Sequence, residues 1–189
     1  MTIFFTSDTH WFHKNILRLA ERPWQNVEDM RVTMITYWNS IVKEGDEVYH
    51  LGDLSLGSAS KTVDILQQLN GRKYLLWGNH DSSLRRKQAV IDEFEWCRNY
   101  HELKIQDADA PRGVQRIILC HYPLLTWNSS SHGSWMLHGH CHGNIDELNK
   151  STTRLDFGVD SNDYAPISYD AVKAIMLEKS YDCVDHLPS

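Results

Sequence analysis

The chain has 189 residues, 41% of them hydrophobic and 23% charged, enough to bury a core in one globular domain spanning residues 1–189. Its formal net charge of −6 disfavours a broad grip on duplex nucleic acid, which depends on clustered Lys and Arg. The opening "MTIFFTSDTH" has neither the basic start nor the apolar run of a secretory signal. No stretch reaches the roughly 18 apolar residues of a membrane span, so a cytoplasmic location is expected. Cys97, Cys120, Cys141 and Cys183 form no CxxC pair and read as reduced thiols.

In chain order, a strand is predicted at 2–7 ("TIFFTS"), then a helix over Val27–Lys43 with Asn26 as N-cap, because Met30, Met34, Trp38 and Ile41 recur at three- and four-residue steps. A strand follows at 46–52, a helix from Ser58 to Leu69 stopped by Gly71, and a strand at 72–78. A third helix is expected from Asp81 through Leu84 to Ile91. Strands at 114–120, 134–139 and 153–160 follow, and a last helix begins near Ser168. The segments 106–113 and 127–134 read as an exposed hairpin loop and a polar loop. Strands that first alternate with helices and then follow one another suggest sheets packed face to face with helices outside.

Five of these strands end in polar residues of one chemical kind. "FFTS" gives way to Asp8-Thr9-His10, "VYHLG" to Asp53, "LLWG" to Asn79-His80-Asp81, "IILC" to His121, and "WMLHG" to His140-Cys141-His142. Strand exits of such sheets open on a common crevice. Oxygen and imidazole donors without a thiolate set suit Mn²⁺, Fe²⁺, Co²⁺, Ni²⁺ or Zn²⁺. Extended backbone is expected to turn both residues of Asp8-x-His10, and both of His140-x-His142, to the same side. Seven donors, Asp8, His10, Asp53, Asn79, His121, His140 and His142, are too many for one tetrahedral ion. They suit two ions if a carboxylate bridges.

The ordered blocks DxH at 8–10, GD at 52–53, GNHD at 78–81, His121 and GHCH at 139–142 resemble the calcineurin-like metallophosphoesterases. That resemblance implies an α+β (α/β) fold, a four-layer αββα sandwich of two mixed β-sheets flanked by helices. It implies two divalent ions, Mn²⁺ favoured, one held by Asp8, His10 and His142 and the other by Asn79, His121 and His140, with Asp53 bridging. It also implies phosphoester hydrolysis, a phosphodiesterase being favoured, by in-line attack of a hydroxide shared by the ions. In that scheme His80 faces the substrate and Asp81 orients His80. A phosphomonoesterase or nucleotidase on the same site, and a noncatalytic scaffold of the same fold, are the alternatives.

The expected substrate is a small phosphoester or nucleotide-like molecule. His13 and Arg22 are candidate substrate contacts, and Trp24 a stacking partner whose simpler reading is packing around Pro23. His50 and His138 read as hydrogen-bonded structural histidines. Trp11, Trp77 and Trp135 read as core, and Cys120 and Cys141 as small core residues pointing away from the site.

Overall fold

The computed structural model describes residues 1–179, so Cys183 and the tail beyond Lys179 lie outside the described residues. One sheet is built from β1 (Ile3–Thr6), β2 (Glu47–His50), β3 (Arg72–Leu76), β4 (Trp96–Arg98) and β9 (Ile167–Ser168), in the order β4-β3-β2-β1-β9. The second is built from β5 (Tyr100–Gln106), β6 (Val114–Cys120), β7 (Trp135–His138) and β8 (Arg154–Asp156), in that order. Both are mixed. β9 is antiparallel in the first sheet and β5 in the second, and all other pairings are parallel.

Alternation along the strands makes the layers. Phe5, Tyr49, Leu51 and Leu76 face Ile117, Leu119, Leu137 and Phe157 in a core between the sheets. On the outer face of the first sheet, Phe4, Val48 and Leu75 pack against α2 (Val27–Ile41), α3 (Ala59–Leu66) and α4 (Gln88–Ile91) through Met30, Met34, Trp38, Ile65, Leu66 and Val90. The outer face of the second sheet is covered more thinly. Trp127 packs on Ile118 and Met136, and Asn149 of α5 (Asp146–Asn149) reaches Arg154 and His138. The αββα sandwich is therefore present, its fourth layer made of a loop and a four-residue helix.

Helix ends follow local chemistry. The Asn26 side chain accepts from the amides of Glu28 and Asp29, Ser58 caps α3 at Lys61, and Ser168 caps α6 (Tyr169–Leu177) at Ala171. The third predicted helix is broken instead: His80–Ser83 form one tight turn, and α4 starts only at Gln88, past the consecutive cations Arg85, Arg86 and Lys87. The 106–113 segment does join a hairpin, β5 to β6. The 127–134 loop is anchored rather than loose, because buried Trp127 donates to the Ser134 hydroxyl at 3.0 Å. β4, β5, β9, α1 (Ile16–Leu19) and α5 have no counterpart among the predicted elements. β5 escapes because its partly polar sequence, "YHELKIQ", occupies an edge position where charged side chains are tolerated. Among the described residues no helix is long and apolar enough to cross a membrane.

Candidate metal centre

The parallel strands β1, β2, β3, β6 and β7 all deliver their carboxyl ends to one edge of the sandwich, as open sheets do at their ligand crevices. The loop after β1 hydrogen-bonds to the loop after β2, Asp8 N–H to Gly52 O and His10 N–H to Asp53 O. The two sheets are joined there too, by a bridge between Ser7 and Gly158 and by the His140 amide, which donates to Asp8 Oδ2 at 2.9 Å. Residues 132 apart in sequence thus share one hydrogen bond.

Two groups of donors form at this edge: Asp8, His10 and His142, and Asp53, His121 and His140, with ligand atoms within 4.8 Å of one another in each group. Asp53 stands between them. Its Oδ2 lies 3.7 Å from His10 Nε2 and its Oδ1 3.6 Å from His121 Nε2. Asn79 joins the second group, with Oδ1 2.9 Å from His121 Nε2.

The pairs are not extended, contrary to the expectation from alternation. Asp8, His10, Asp53, His140 and His142 all adopt left-handed backbone, with φ of 55, 50, 54, 72 and 48°. Non-glycine residues rarely do so, and such strain persists only where the surroundings enforce it. Tight turns, rather than pleating, aim these side chains inward.

Two glycines are required for close approach. A Cβ on Gly78 would stand 2.1 Å from Asp53 Oδ1, and one on Gly139 would stand 2.3 Å from Asp8 Oδ2 and 2.0 Å from Ser7 Oγ. The glycine preceding Asn79 and the one preceding His140 are there so that carboxylates can lie against backbone.

The donors fit divalent ions. Asp8 Oδ1 and both His10 ring nitrogens are buried without a hydrogen-bond partner, an arrangement that costs about 1–3 kcal/mol per neutral group and more for a charged one unless a cation completes it. His121 Nδ1 lies 2.8 Å from Leu51 O and so carries the proton; Nε2 then turns its lone pair at the Asn79 carbonyl oxygen. Two facing lone pairs repel, whereas a divalent ion would accept both and hold Asn79 and His121 together.

The protonation preferences have the same origin. Burial raises the Asp8 carboxyl to about 7 and lowers His10 to about 2, the latter helped by the charges of Arg22 and His142. Burial also lowers His121. His142 is pulled down by burial, but its bond to Asp160 and the charge of Asp8 outweigh this and raise it. Asp8 therefore holds a proton near neutrality when no ion is bound, and must release it to ligate. Apparent affinity for Mn²⁺ or Zn²⁺ is expected to fall at least about tenfold between pH 8 and pH 6. His10, lowered to about 2, remains neutral over that interval and contributes nothing to the slope. Chelator-competition titrations at the two pH values check this; equal affinities would contradict the coupling.

Two expected roles are corrected. Asp81 does not orient His80: its fully buried carboxylate accepts from the amides of Gly78 (2.8 Å), Asp53 (2.9 Å) and Leu54 (2.8 Å), tying the loop after β3 to the one carrying Asp53. Burial raises its pKa, against those three amides. Arg22 does not reach toward the crevice. It is buried behind the site, donating through Nε and Nη2 to both oxygens of Asp160, through Nη2 to the carbonyl of Asp8 and through Nη1 to that of Thr9.

Asp160 is the functional residue that sequence reasoning missed. Its Oδ2 lies 2.6 Å from His142 Nδ1, which fixes the ring so that Nε2 faces Asp8. Carboxylate support of this kind orients metal-binding imidazoles. A signal existed: Asp160 ends the stretch "TRLDFGVD", a sixth strand exit that went uncounted. Asp156 works one step further back, accepting from the amides of Gly143 and Gly158.

The remaining residues singled out in the sequence are placed as follows. His80 is exposed at the crevice, its amide bonded to Asp53 Oδ1 and its ring 5.3 Å from that of His10. His13 lines the same crevice, 5.2 Å from the His10 ring. His50 is buried against Thr9 Oγ1 at 2.9 Å, and His138 against Gly139 O at 2.8 Å. Trp11, Trp77 and Trp135 are core, and Trp24 packs edge-on to Tyr164. Cys120 packs under Trp127. Cys141 instead lies in a third donor group with His138 and Asp156, where burial pushes its thiol up to about 11.

Comparisons with known proteins agree with this geometry. The uncharacterized protein MJ1445 of Methanocaldococcus jannaschii is 34% identical over 176 residues, covering 90% of this chain and 88% of its own. The gene 66 protein of Mycobacterium phage L5 is 27% identical over 158 residues, covering 73% and 76%. A protein of unknown function from Aquifex aeolicus, AQ665, has a crystal structure that superposes with a TM-score of 0.72 at 26% identity, covering 92% of this chain and 98% of that one. The family model of the calcineurin-like phosphoesterases matches residues 1–179, and with two candidate donor groups at one sheet edge the chain belongs to that family, a metal-dependent phosphoester hydrolase.

Proposed function

We propose that the chain hydrolyses phosphodiesters in preference to phosphomonoesters. One observation carries this reading: the crevice, a cavity of about 680 Å³, is lined by no lysine or arginine among the described residues, while Glu21 and Asp160 do line it. A monoester enters as a dianion and brings one more negative charge toward those carboxylates than a diester does, with the metal centre and the crevice histidines to oppose it. A diester carries one negative charge, and its second ester group finds an apolar wall in Ile16, Leu19 and Ala20 of the α1 segment.

The seven residues Asp8, His10, Asp53, Asn79, His121, His140 and His142 are proposed to hold two divalent ions, manganese being favoured by their oxygen and imidazole character. Two such ions supply acidified water and a polarised phosphoryl group at neutral pH. His80 acts on the leaving side. As a hydroxide oxygen bonds to phosphorus and the P–O bond to the leaving group breaks, His80 in its protonated form gives its proton to the departing oxygen. The His80 amide bond to Asp53 keeps that ring in register with the centre. His13, which lines the same cavity, is proposed to contact a substrate oxygen.

Steady-state assays with Mn²⁺ test the reading. The expected kcat/KM for bis-p-nitrophenyl phosphate exceeds that for p-nitrophenyl phosphate by about tenfold or more, the effect of one uncompensated charge near low-dielectric walls. A preference for the monoester would replace it with a phosphatase or nucleotidase.

A further inference from the structure

The cations missing from the crevice are found in another cavity. A hollow of about 610 Å³ opens on the second sheet where the β5–β6 hairpin meets the 129–134 loop, lined by Lys104, Arg112, Arg116, His132, Ser129 and Ser134 among others. Among the described residues no Asp or Glu lines it, in a chain whose net charge is −6. It lies at the start of β6, whereas His121 follows the end of that strand. Seven residues at about 3.3 Å each separate the two by about 20 Å. The hollow is therefore not an arm of the crevice.

Its charge is left unbalanced. The hairpin register sets Lys104 directly opposite Arg116, a like-charged cross-strand pair that destabilises a hairpin unless something neutralises it. Arg116 has Glu102 at 2.7 Å, but that carboxylate also accepts from Tyr100 and Asn128. Lys104 and Arg112 make no hydrogen bond or ion pair among the described residues. Arg112 is moreover held at φ 60°, in the left-handed region, within a tight turn at the lip of the hollow. The nearby acids Asp107 and Asp109 cannot serve, since both are engaged by Lys173.

We infer that this hollow is a second ligand site, which binds a small phosphate-bearing polyanion through Lys104, Arg112 and Arg116. Its volume suits a metabolite-sized ligand, and two unpaired cations plus a third shared one match a group of two or more negative charges. Phosphate oxygens between Lys104 and Arg116 would relieve the cross-strand repulsion, giving binding a source of energy that an ordinary surface lysine lacks.

Amide NMR of the full-length, zinc-loaded chain, titrated with inorganic phosphate and then pyrophosphate, tests the site. Saturable shifts are expected at residues 112–116 and 132–134, tighter for pyrophosphate, and at least about tenfold weaker in a Lys104→Ala, Arg112→Gly variant. Both side chains are exposed, and glycine suits the left-handed backbone at 112, so the variant keeps its fold. A single Lys104→Gln chain provides a second, milder comparison. Shifts confined to residues around His80, His140 and His142 would overturn the inference, as would shifts reproduced by chloride at equal ionic strength or titrations unchanged in both variants.

Discussion

His80→Ala is expected to leave two divalent ions per chain in place while lowering kcat toward a phosphodiester at least about 100-fold. The separation of the two effects follows from the geometry. The imidazole of His80 is nearly half exposed and stands 3.9 Å from Asp53 Oδ2, outside both donor groups, while its backbone amide holds Asp53 Oδ1 and survives the substitution. Metal content by atomic emission on protein purified without chelator, alongside kcat, reads both quantities. A more activated leaving group should narrow the loss, because a leaving oxygen that needs no proton gains little from a donor. Turnover unchanged in a fully loaded sample would remove His80 from the chemistry. Loss of one ion would make it a ligand instead.

The second large effect lies behind the site. Arg22→Leu should lower the unfolding free energy of the chain by about 3 kcal/mol, since it leaves the partly buried Asp160 carboxylate with His142 alone and frees the buried carbonyls of Asp8 and Thr9 together. Arg22→Lys should recover only part of this, because an ammonium cannot make the paired Nε and Nη2 contacts to both Asp160 oxygens. Asp160→Asn is the informative companion. It keeps the volume but weakens the hold on His142 Nδ1, and should cost about 10- to 100-fold in metal affinity with a smaller change in stability. Urea unfolding of the loaded proteins, with a zinc-competition titration of each, distinguishes these outcomes. An Arg22→Leu chain within about 1 kcal/mol of the parent would mean that the guanidinium is dispensable, and that the Asp160–His142 contact stands without it.

These two residues show where sequence reasoning reaches its limit. His80 is legible because it sits inside "GNHD", one of five polar breaks after apolar runs, and strand exits in such sheets converge. Arg22 belongs to a stretch, "ERPW", whose only visible property is a cation near a proline. Its partner is 138 positions away, beyond any local pattern. Asp81 marks the opposite failure. Adjacent to His80 in sequence, it invited a local pairing, yet its carboxylate is taken by three backbone amides from two loops, because a buried loop must satisfy its N–H groups somewhere. The basic hollow went unseen for a similar reason. Lys104, Arg116 and Arg112 look like ordinary surface charges until antiparallel register puts the first two side by side.

What the sequence determined by itself is the inventory and its order: which strands carry the core, that Asn26 caps one helix and two others start near Ser58 and Ser168, and which seven donors stand at strand exits. Those properties are local, set by side-chain period and by hydrogen bonds spanning three residues. Only the tertiary structure decided how the donors divide into two groups around Asp53, that left-handed turns rather than pleats aim them, and that Asp160 and Arg22 support them from behind. Each of those depends on the two sheets meeting edge to edge at Ser7 and Gly158, a contact whose energy comes from burying the faces between them and which no stretch of chain encodes alone.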